Sequence, residues 1–384
     1  VCINDFIKCY TFFTFATMDL SSNLILVYSI FFLLTIGFAV IINALLLRVS
    51  KKMQLNNNAN SEVRWQSGSK PVLGGIGLFI LFLLSVSSYF MLPFHTASFF
   101  GRELFALLGA STLGFLIGLY DDALNMPAAF KFTGQTACGL FLIIMGIYIP
   151  LTPFAIINYA FTLLWVVAIM NSINMLDNMD GITASVSLSI VIASIMLLIM
   201  TGQIQSIYFI ICIGVAGGLV GFLFFNWSPS KMYMGDNGSQ FLGAFLSYLS
   251  IVLMWKFKDP SSGIFEIKQF LVPLVLFIIP IIDTSTVFIR RILRGQSPFV
   301  GGRDHTTHHL AYNGLKDGMV ALVMFAISII SVGIAYLLVF NFNSWSFSKT
   351  LLVLAYVIVL FVVMQLLYER GKKLNKAKKS FNNG

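Results

Sequence analysis

The sequence predicts an all-α, polytopic membrane protein of about eleven transmembrane helices, and three observations carry that prediction. Of 384 residues, 58% are apolar and only 10% charged, where a soluble domain has about 25% charged. The apolar residues fall in blocks, not amphipathic stripes, and many blocks approach the ~20 residues that carry an α-helix across a ~30 Å hydrocarbon core. Lys and Arg are distributed very unevenly between the two sets of alternate loops.

Taken in order, the apolar spans lie at about 24–47, 72–92, 104–119, 133–149, 154–170, 184–201, 208–225, 240–255, 269–289, 320–340 and 350–367. The stretch before them, residues 1–23, reads as an N-terminal extension. It lacks a basic leader and a small-residue cleavage site, so no signal peptide is assigned, and Met18 offers an alternative start. Between the first two spans, "RVSKKMQLNNNANSEVRWQSGSK" reads as a polar loop that ends at "PVLGGIGLF". Gly74, Gly75 and Gly77 there suit either close helix packing or approach of the backbone to a ligand. No other interruption is long enough to separate domains, so residues 1–384 read as one integral-membrane domain, with a basic tail at 368–384.

One set of alternate loops holds Arg48, Lys51, Lys52, Arg64, Lys70, Lys131, Lys231, Arg290, Arg291, Arg294, Arg303, Lys316 and the tail's basic residues, an 18 to 6 majority of all Lys and Arg. That set is expected on the cytoplasmic side, which leaves the N-terminus outside and the C-terminus inside. The net charge of +9 is then a property of one face. It would attract anionic headgroups and anionic substrates there, and no nucleic-acid partner is expected. Cys138 and Cys212 fall inside apolar spans, Cys2 and Cys9 lie in the extension, and no CxxC or metal spacing is present.

The acidic residues choose the same face, although the topology rests on Lys and Arg alone. "GLYDDAL" (Asp121, Asp122), "NSINMLDNMDGI" (Asn174, Asp177, Asp180), "KMYMGDNGSQFLG" (Asp236) and "GGRDHTTHHLAYNG" all fall at its helix ends or loops. A single solvated aspartate there is unremarkable; five on one face suggest a cavity or a binding site. Adjacent aspartates can hold Mg²⁺, or one can take a proton while the other orients it. Lys131 can receive phosphate oxygens at the start of the next helix, or snorkel to the interface. Along Asn171, Asn174, Asp177 and Asp180, steps of three keep neighbours on one face, but nine steps of an unbroken helix drift by about half a circle. All four can reach one ligand only if the helix ends within the motif, where Gly181 offers a break. "MGDNGS" reads as a turn at a helix N-terminus, suited to an anion with Asp236 holding its cation, or as a plain surface turn. In "RDHTTHH", His305, His308 and His309 share a face if helical. No Cys or Glu accompanies them for zinc, so donation to a diphosphate or sugar beside Arg303 is the preferred reading over a solvated loop.

The ordered set "KPVLGGIG", "GLYDD", "NSINMLDNMDGI", "NWSPSKMYMGDNGSQFLG", "IPIIDTSTVFIRR" and "RDHTTHHL" resembles the polyprenyl-phosphate N-acetylhexosamine-1-phosphate transferases (glycosyltransferase family 4) over most of the chain. The resemblance implies transfer of a HexNAc 1-phosphate from a UDP-HexNAc, read as UDP-GlcNAc, to undecaprenyl phosphate, with release of UMP. It implies Mg²⁺, with Mn²⁺ as an alternative, a site on the cytoplasmic face of the bacterial inner membrane, and a homodimer. The product would start cell-wall, lipopolysaccharide or O-antigen glycan synthesis. By position, Asp236 and Asn174 match metal ligands, and Asp121 and Asp122 the pair acting on the lipid phosphate. Asp180 matches the residue at the uracil edge, Tyr233 the aromatic under the base, and Asn226 an asparagine of the nucleotide pocket. Arg303, His305, His308 and His309 match the cluster that holds diphosphate and sugar. Asn178 stands where many members have Gly, and Tyr120 where Phe is common. The "RDHTTHH" pattern lies nearer the GlcNAc-1-phosphate branch than the phospho-MurNAc-pentapeptide branch. Direct attack of the lipid phosphate on the β-phosphorus, assisted by Asp121, is the preferred route, with a two-step route through a phospho-aspartate as the alternative. Asp283, two turns before Arg290, reads equally as part of a structural ion-pair seam or as site lining. A lipid-sugar or ion transporter is the rival class, but transporters place polar residues near the bilayer midplane, and here they collect at one end.

Overall fold

A computed structural model describes residues 2–56, 70–91, 101–255, 267–297, 302, 304–340 and 346–382, by backbone alone at 2–23, 53–56, 267–268 and 378–382. Arg303 lies outside the described residues. The helices are α1 (Cys2–Asn56), α2 (Gly74–Tyr89), α3 (Arg102–Leu124), α4 (Ala128–Ile144), α5 (Ala155–Leu176), α6 (Ile182–Met200), α7 (Ile207–Asn226) and α8 (Gly235–Leu249, running on as a π-turn through Met254). They continue as α9 (Ile267–Leu276), α10 (Ile278–Leu293), the short α11 (Thr306–Tyr312), α12 (Asp317–Phe340) and α13 (Phe347–Asn382).

Each expected apolar window overlaps one helix except 269–289, which spans two, and the protein is a multi-pass membrane protein. Among the described residues eight helices are long and apolar enough to cross a bilayer. The pair α9 and α10 would make a ninth, and α2 and α4 are shorter apolar helices. The span expected to run unbroken over 269–289 instead bends by 78° between α9 and α10. Pro273 lies inside α9 and Pro280 in the first turn of α10. Pro280 has no N–H to offer Leu276, so the ladder lapses there. The basic tail continues the last helix, since α13 runs on to Asn382.

At the extremes, apolarity and burial run in opposite directions. The outer helices α1 and α13 are among the most apolar, with 17% and 22% of their apolar windows buried, while the span containing α8 is the least apolar and wholly buried. A helix that never meets lipid can carry Asn237, Ser239, Gln240, Ser247 and Tyr248 if their polar atoms find partners. Gln240 accepts a bond from Gln135 of α4 at 3.2 Å, and the Tyr248 hydroxyl donates to the Glu103 carbonyl at 2.8 Å.

Glycines let the neighbours close on α8. A Cβ at Gly114 or Gly118 of α3 would strike the α8 backbone at Gln240 and Asp236, one at Gly75 of α2 would strike Gly238, and one at Gly243 would strike Met170 of α5. "GFLIG" in α3 is thus a small-xxx-small contact. For Gly75 the packing reading holds: its backbone meets α8.

Gly118→Ala is expected to lower thermal stability in detergent by about 1–3 kcal/mol, the cost of overpacking. Gly37→Ala, where an added Cβ meets nothing within 4 Å, is expected to be neutral or slightly stabilising, as measured by thermal unfolding of both variants beside the parent.

Candidate active site

The chain turns so that the acidic motifs share one end of the bundle. α3, α5 and α7 finish there with Asp121–Asp122, Asn174–Asp177 and Asn226, while α4, α6, α8 and α12 begin there. The half-circle drift of the Asn/Asp motif is removed because α5 stops at Leu176, with Asp177 as its C-cap, and Gly181, at φ 77°, opens α6. Asn171 and Asn174 stay on the helix; Asp177 and Asp180 lie in the turn.

Beside that turn the segment 71–75 pairs with 233–234. The Tyr233 N–H donates to the Pro71 carbonyl at 2.9 Å, and the Gly74 and Gly75 N–H groups donate to Tyr233 and Met234 at 3.1 and 3.0 Å. Gly235, at φ 84°, then swings the chain into α8. The first N–H groups of α8 have no partners within the helix and, in so buried an element, little access to water. Asp122 supplies an acceptor: it takes the Asp236 N–H at 3.0 Å, the Asn237 N–H at 2.8 Å and the Asn237 side-chain amide at 2.5 Å. Asp122 is therefore bound to the backbone of the helix that carries Asp236, while its neighbour Asp121, also buried, meets Lys131 and the Asp236 side chain. Asp121 accepts the Met126 N–H at 2.8 Å and forms an ion pair with Lys131. Lys131 also lies 3.5 Å from Asp236 and donates to the side-chain Oδ1 of Asn174 at 3.4 Å.

Two cavities meet at this point. One, of about 700 Å³, is lined by Lys70, Asp122, Asp177, Asp180, Asn226, Tyr233, Asp236, His308 and Asp317. The other, of about 450 Å³, is lined by Asp121, Lys131, Asn171, Asn174, Asp177, Asp236 and His305. Asp177, Asn178 and Asp236 border both. In the larger cavity Asp180 accepts the Ser230 N–H and hydroxyl at 2.9 and 2.8 Å, and Lys70 sits 3.8 Å from Asp180 and over the Tyr233 ring at 5.1 Å. Asn226 ties the Gly181 N–H, at 3.0 Å, to the Met232 carbonyl, also at 3.0 Å, so its amide holds the cavity's two loops together. Burial and then the charge of Asp236 push the Asp177 carboxyl up to about 7, so it can hold a proton at neutral pH.

The histidines do not share one face. His305 precedes α11 in extended conformation, so the helical spacing starts too late to align it with the others. Its Nδ1 lies 2.8 Å from Asp283, which also accepts the Thr306 N–H at 2.9 Å. Asp283 therefore orients His305 and caps α11, and Arg290 turns to α13, where it stacks on Tyr368 at 3.0 Å and bonds Gln365. Arg291 grips Asp304 through two bonds, at 2.9 and 2.6 Å. Burial works against the Asp304 carboxylate, but these bonds and the Arg291 charge hold it below its usual range. His309 lies under Tyr368, at 3.8 Å between rings, and is absent from both cavity walls.

Lys70, Asn178, Ser230 and Thr307 belong to the site without having been singled out as site residues from the sequence. Lys70 had a signal in its position immediately before "PVLGGIG"; the others owe their place to contacts across the fold. As to a metal, no group of three or more His, Cys, Asp or Glu forms a cage among the described residues. Mg²⁺ needs none, because it keeps waters and takes phosphate oxygens beside one or two carboxylates. Asp236, on the wall between the cavities, suits it. Asn174 presents its nitrogen to Asp236 and Ser239, at 2.6 and 2.8 Å, so its amide must turn over to act as an oxygen ligand. Five aspartates and one lysine line the larger cavity, a charge balance that disfavours a diphosphate without an added cation.

Residues 104–254 match the model of glycosyl transferase family 4. The chain is 28% identical over 320 residues to a probable undecaprenyl-phosphate N-acetylglucosaminyl 1-phosphate transferase of Bacillus subtilis, covering 81% of this chain and 83% of that protein. It is 26% identical over 308 residues to an undecaprenyl-phosphate alpha-N-acetylglucosaminyl 1-phosphate transferase of Escherichia coli, covering 75% and 78%. A phospho-N-acetylmuramoyl-pentapeptide-transferase of Heliobacterium modesticaldum is 28% identical over 289 residues, 70% of this chain and 83% of that protein.

Burial first, and then the charges of Arg290 and His308, push the His309 imidazole down to about 4. The unfolded chain therefore binds this proton before the folded one, and the stability it withholds is lost as pH falls from about 6.5 toward 4. His309→Phe should lose less thermal stability than the parent between pH 7.5 and 5, measured by unfolding in detergent at both values.

Proposed function

Given that the chain resembles the polyprenyl-phosphate N-acetylhexosamine-1-phosphate transferases, we propose that it transfers N-acetylglucosamine 1-phosphate from UDP-GlcNAc to undecaprenyl phosphate, releasing UMP. The proposed site is on the cytoplasmic face of the bacterial inner membrane, and the product enters cell-envelope glycan synthesis. The observation that carries this reading is the meeting of two polar cavities at Asp177 and Asp236, which suits two phosphate-bearing substrates brought together at one phosphorus. The 18 to 6 bias of Lys and Arg toward this end supports the cytoplasmic placement.

In this reading the larger cavity takes the nucleotide, with the base against Tyr233 and near Asp180 and Lys70, while Asn226 keeps the two loops at the width of that slot. The smaller cavity takes the lipid phosphate at Lys131. A lipid phosphate oxygen bonds to the β-phosphorus, the bond from that phosphorus to the bridging oxygen breaks, and UMP leaves with that oxygen. Phosphoryl transfer depends on alignment and charge neutralisation. Lys131 meets both needs: Asp121 holds it by an ion pair, and it bridges toward Asp236 and Asn174. Asp121 is available to take any proton left on the lipid phosphate. Its oxygens already serve the Met126 N–H and Lys131, which favours direct attack over a phospho-aspartate. Asp122 acts through the backbone of α8 and is a positioning residue. Asp236 would hold Mg²⁺, which would supply charge neutralisation of the diphosphate. His305 and His308 face the two cavities separately, as donors to the sugar phosphate or diphosphate.

Membranes carrying the protein should exchange labelled UMP into UDP-GlcNAc when polyprenyl phosphate and Mg²⁺ are supplied, and lose this on EDTA. Asp236→Asn should reduce the rate by at least about 10². Full exchange by that variant, or none by the parent with any UDP-sugar, overturns the proposal.

Asp121→Asn and Asp122→Asn should separate in behaviour. The first is expected to lower kcat by about 10²–10⁴ with the fold intact; the second should also lower thermal stability, because it weakens the acceptor at the α8 N-terminus. Paired rate and unfolding measurements on both variants check this.

A further inference from the structure

α11 forms part of the wall of the larger cavity, yet at seven residues it is shorter than the ~12–15 that an isolated helix needs to hold together. Its position therefore comes from its neighbours. His308, Ala311 and Tyr312, spaced i, i+3 and i+4, present one face to that cavity. Asp283 of α10 accepts the Thr306 N–H at the start of the helix, and Leu310 reaches the core. His309 and Asn313, four residues apart, turn to a third side, where α13 lies.

On that side the Tyr368 ring, 2% exposed, lies 3.8 Å from the His309 ring and takes the Arg290 guanidinium of α10 at 3.0 Å. Its hydroxyl accepts a bond from Arg294 at 3.1 Å. Gly371, one turn further along α13, is buried against the His309 carbonyl and the Asn313 amide, and a Cβ there would strike both. The same amide donates to the Leu367 carbonyl and to the His309 carbonyl, each at 2.7 Å. His309 Nδ1 is buried without a hydrogen-bond partner among the described residues. The imidazole therefore serves as a flat ring, packed between Tyr368 of α13 and, at 5.2 Å, Tyr312 of the cavity wall.

We propose that Tyr368 and Gly371 of α13 are positioning residues for the transfer: acting through His309, they hold His308, Ala311 and Tyr312 against the donor. The inference rests on the transferase reading, in which the larger cavity takes the UDP-sugar and the smaller one the lipid phosphate. The smaller cavity is walled by α4 and α5 and by His305. His305 precedes α11 and is fixed separately by Asp283. Loosening the contact with α13 should therefore displace the donor wall and leave the acceptor wall in place. A role in stability alone would reduce the amount of active enzyme without distinguishing the two substrates.

The test measures kcat and the KM values for UDP-GlcNAc and polyprenyl phosphate with the full-length protein, beside thermal unfolding of each variant. Tyr368→Ala is expected to raise KM for UDP-GlcNAc by about tenfold or more, with KM for polyprenyl phosphate unchanged, since small displacements of positioning groups are costly. Tyr368→Phe, which keeps the ring against His309 and Arg290, should restore the parent's donor KM. Gly371→Ala should reproduce the split between the two substrates and serves if Tyr368→Ala fails to fold. A folded variant with unchanged kinetics, with both KM values raised alike, or with only kcat lowered overturns the inference while the transferase reading stands. So does a Tyr368→Phe protein as impaired as Tyr368→Ala. Absence of transfer from every UDP-sugar by the parent overturns that reading, and the inference with it.

Discussion

The arrangement depends on one buried carboxylate at one helix end. α8 is buried from Asn237 onward, and at its N-terminus Asp122 accepts from two backbone N–H groups and one side-chain amide. Charge-assisted bonds of this kind contribute about 1.5–3 kcal/mol each, and more is lost when a buried partner is left unmet. Since one of those N–H groups belongs to Asp236, the contact that closes α8 also aims the carboxylate that borders both cavities. Stability and site geometry share a single interaction.

Close approach of the neighbouring helices follows from the same constraint. Asp122 reaches α8 only because α3 lies against it, and α3 lies against it because Gly114 and Gly118 have no side chains to hold the backbones apart. Lys131 then follows from the short connection to α4, whose first turn brings it beside Asp121. On the far side the ordering is less dense. α11 is a helix of seven residues with little surface of its own to bury, and it keeps its place through Asp283, Asn178 and Asn313. Leu310 adds an apolar contact to the core and His309 lies against Tyr368 of α13, so that His305, just before the helix, and His308, on it, border separate cavities.

Individual residues show how far the sequence could be read. The spans, the one-sided basic charge and the clustering of Asp121, Asp177, Asp180 and Asp236 were legible because each depends on local composition or on alternation of loops. The end of α5 was legible as a requirement, since Gly181 offered the break that the half-circle drift demanded. The histidine face was not, because a helical repeat in sequence says nothing about where the helix starts, and α11 starts one residue after His305. Asp283 stayed ambiguous for a related reason: its spacing to Arg290 was intrahelical, while its actual partners, His305 and Thr306, come from a later segment. The bend at 276–278 had its signal in Pro273 and Pro280, which an apolarity window does not weigh.

The sequence by itself determined that this chain is a helical membrane protein with its acids and bases gathered at one end, because hydrocarbon tolerates only internally satisfied backbone and few charges, and those rules act on composition and order. Tertiary structure decided which of two adjacent aspartates faces Lys131 and which caps α8, that His309 is packed against α13, and that Asn178 is latched by Thr307. Those outcomes depend on which helices touch and at what rotation, and residues far apart in the chain settle that through shape and hydrogen bonds that no single segment contains.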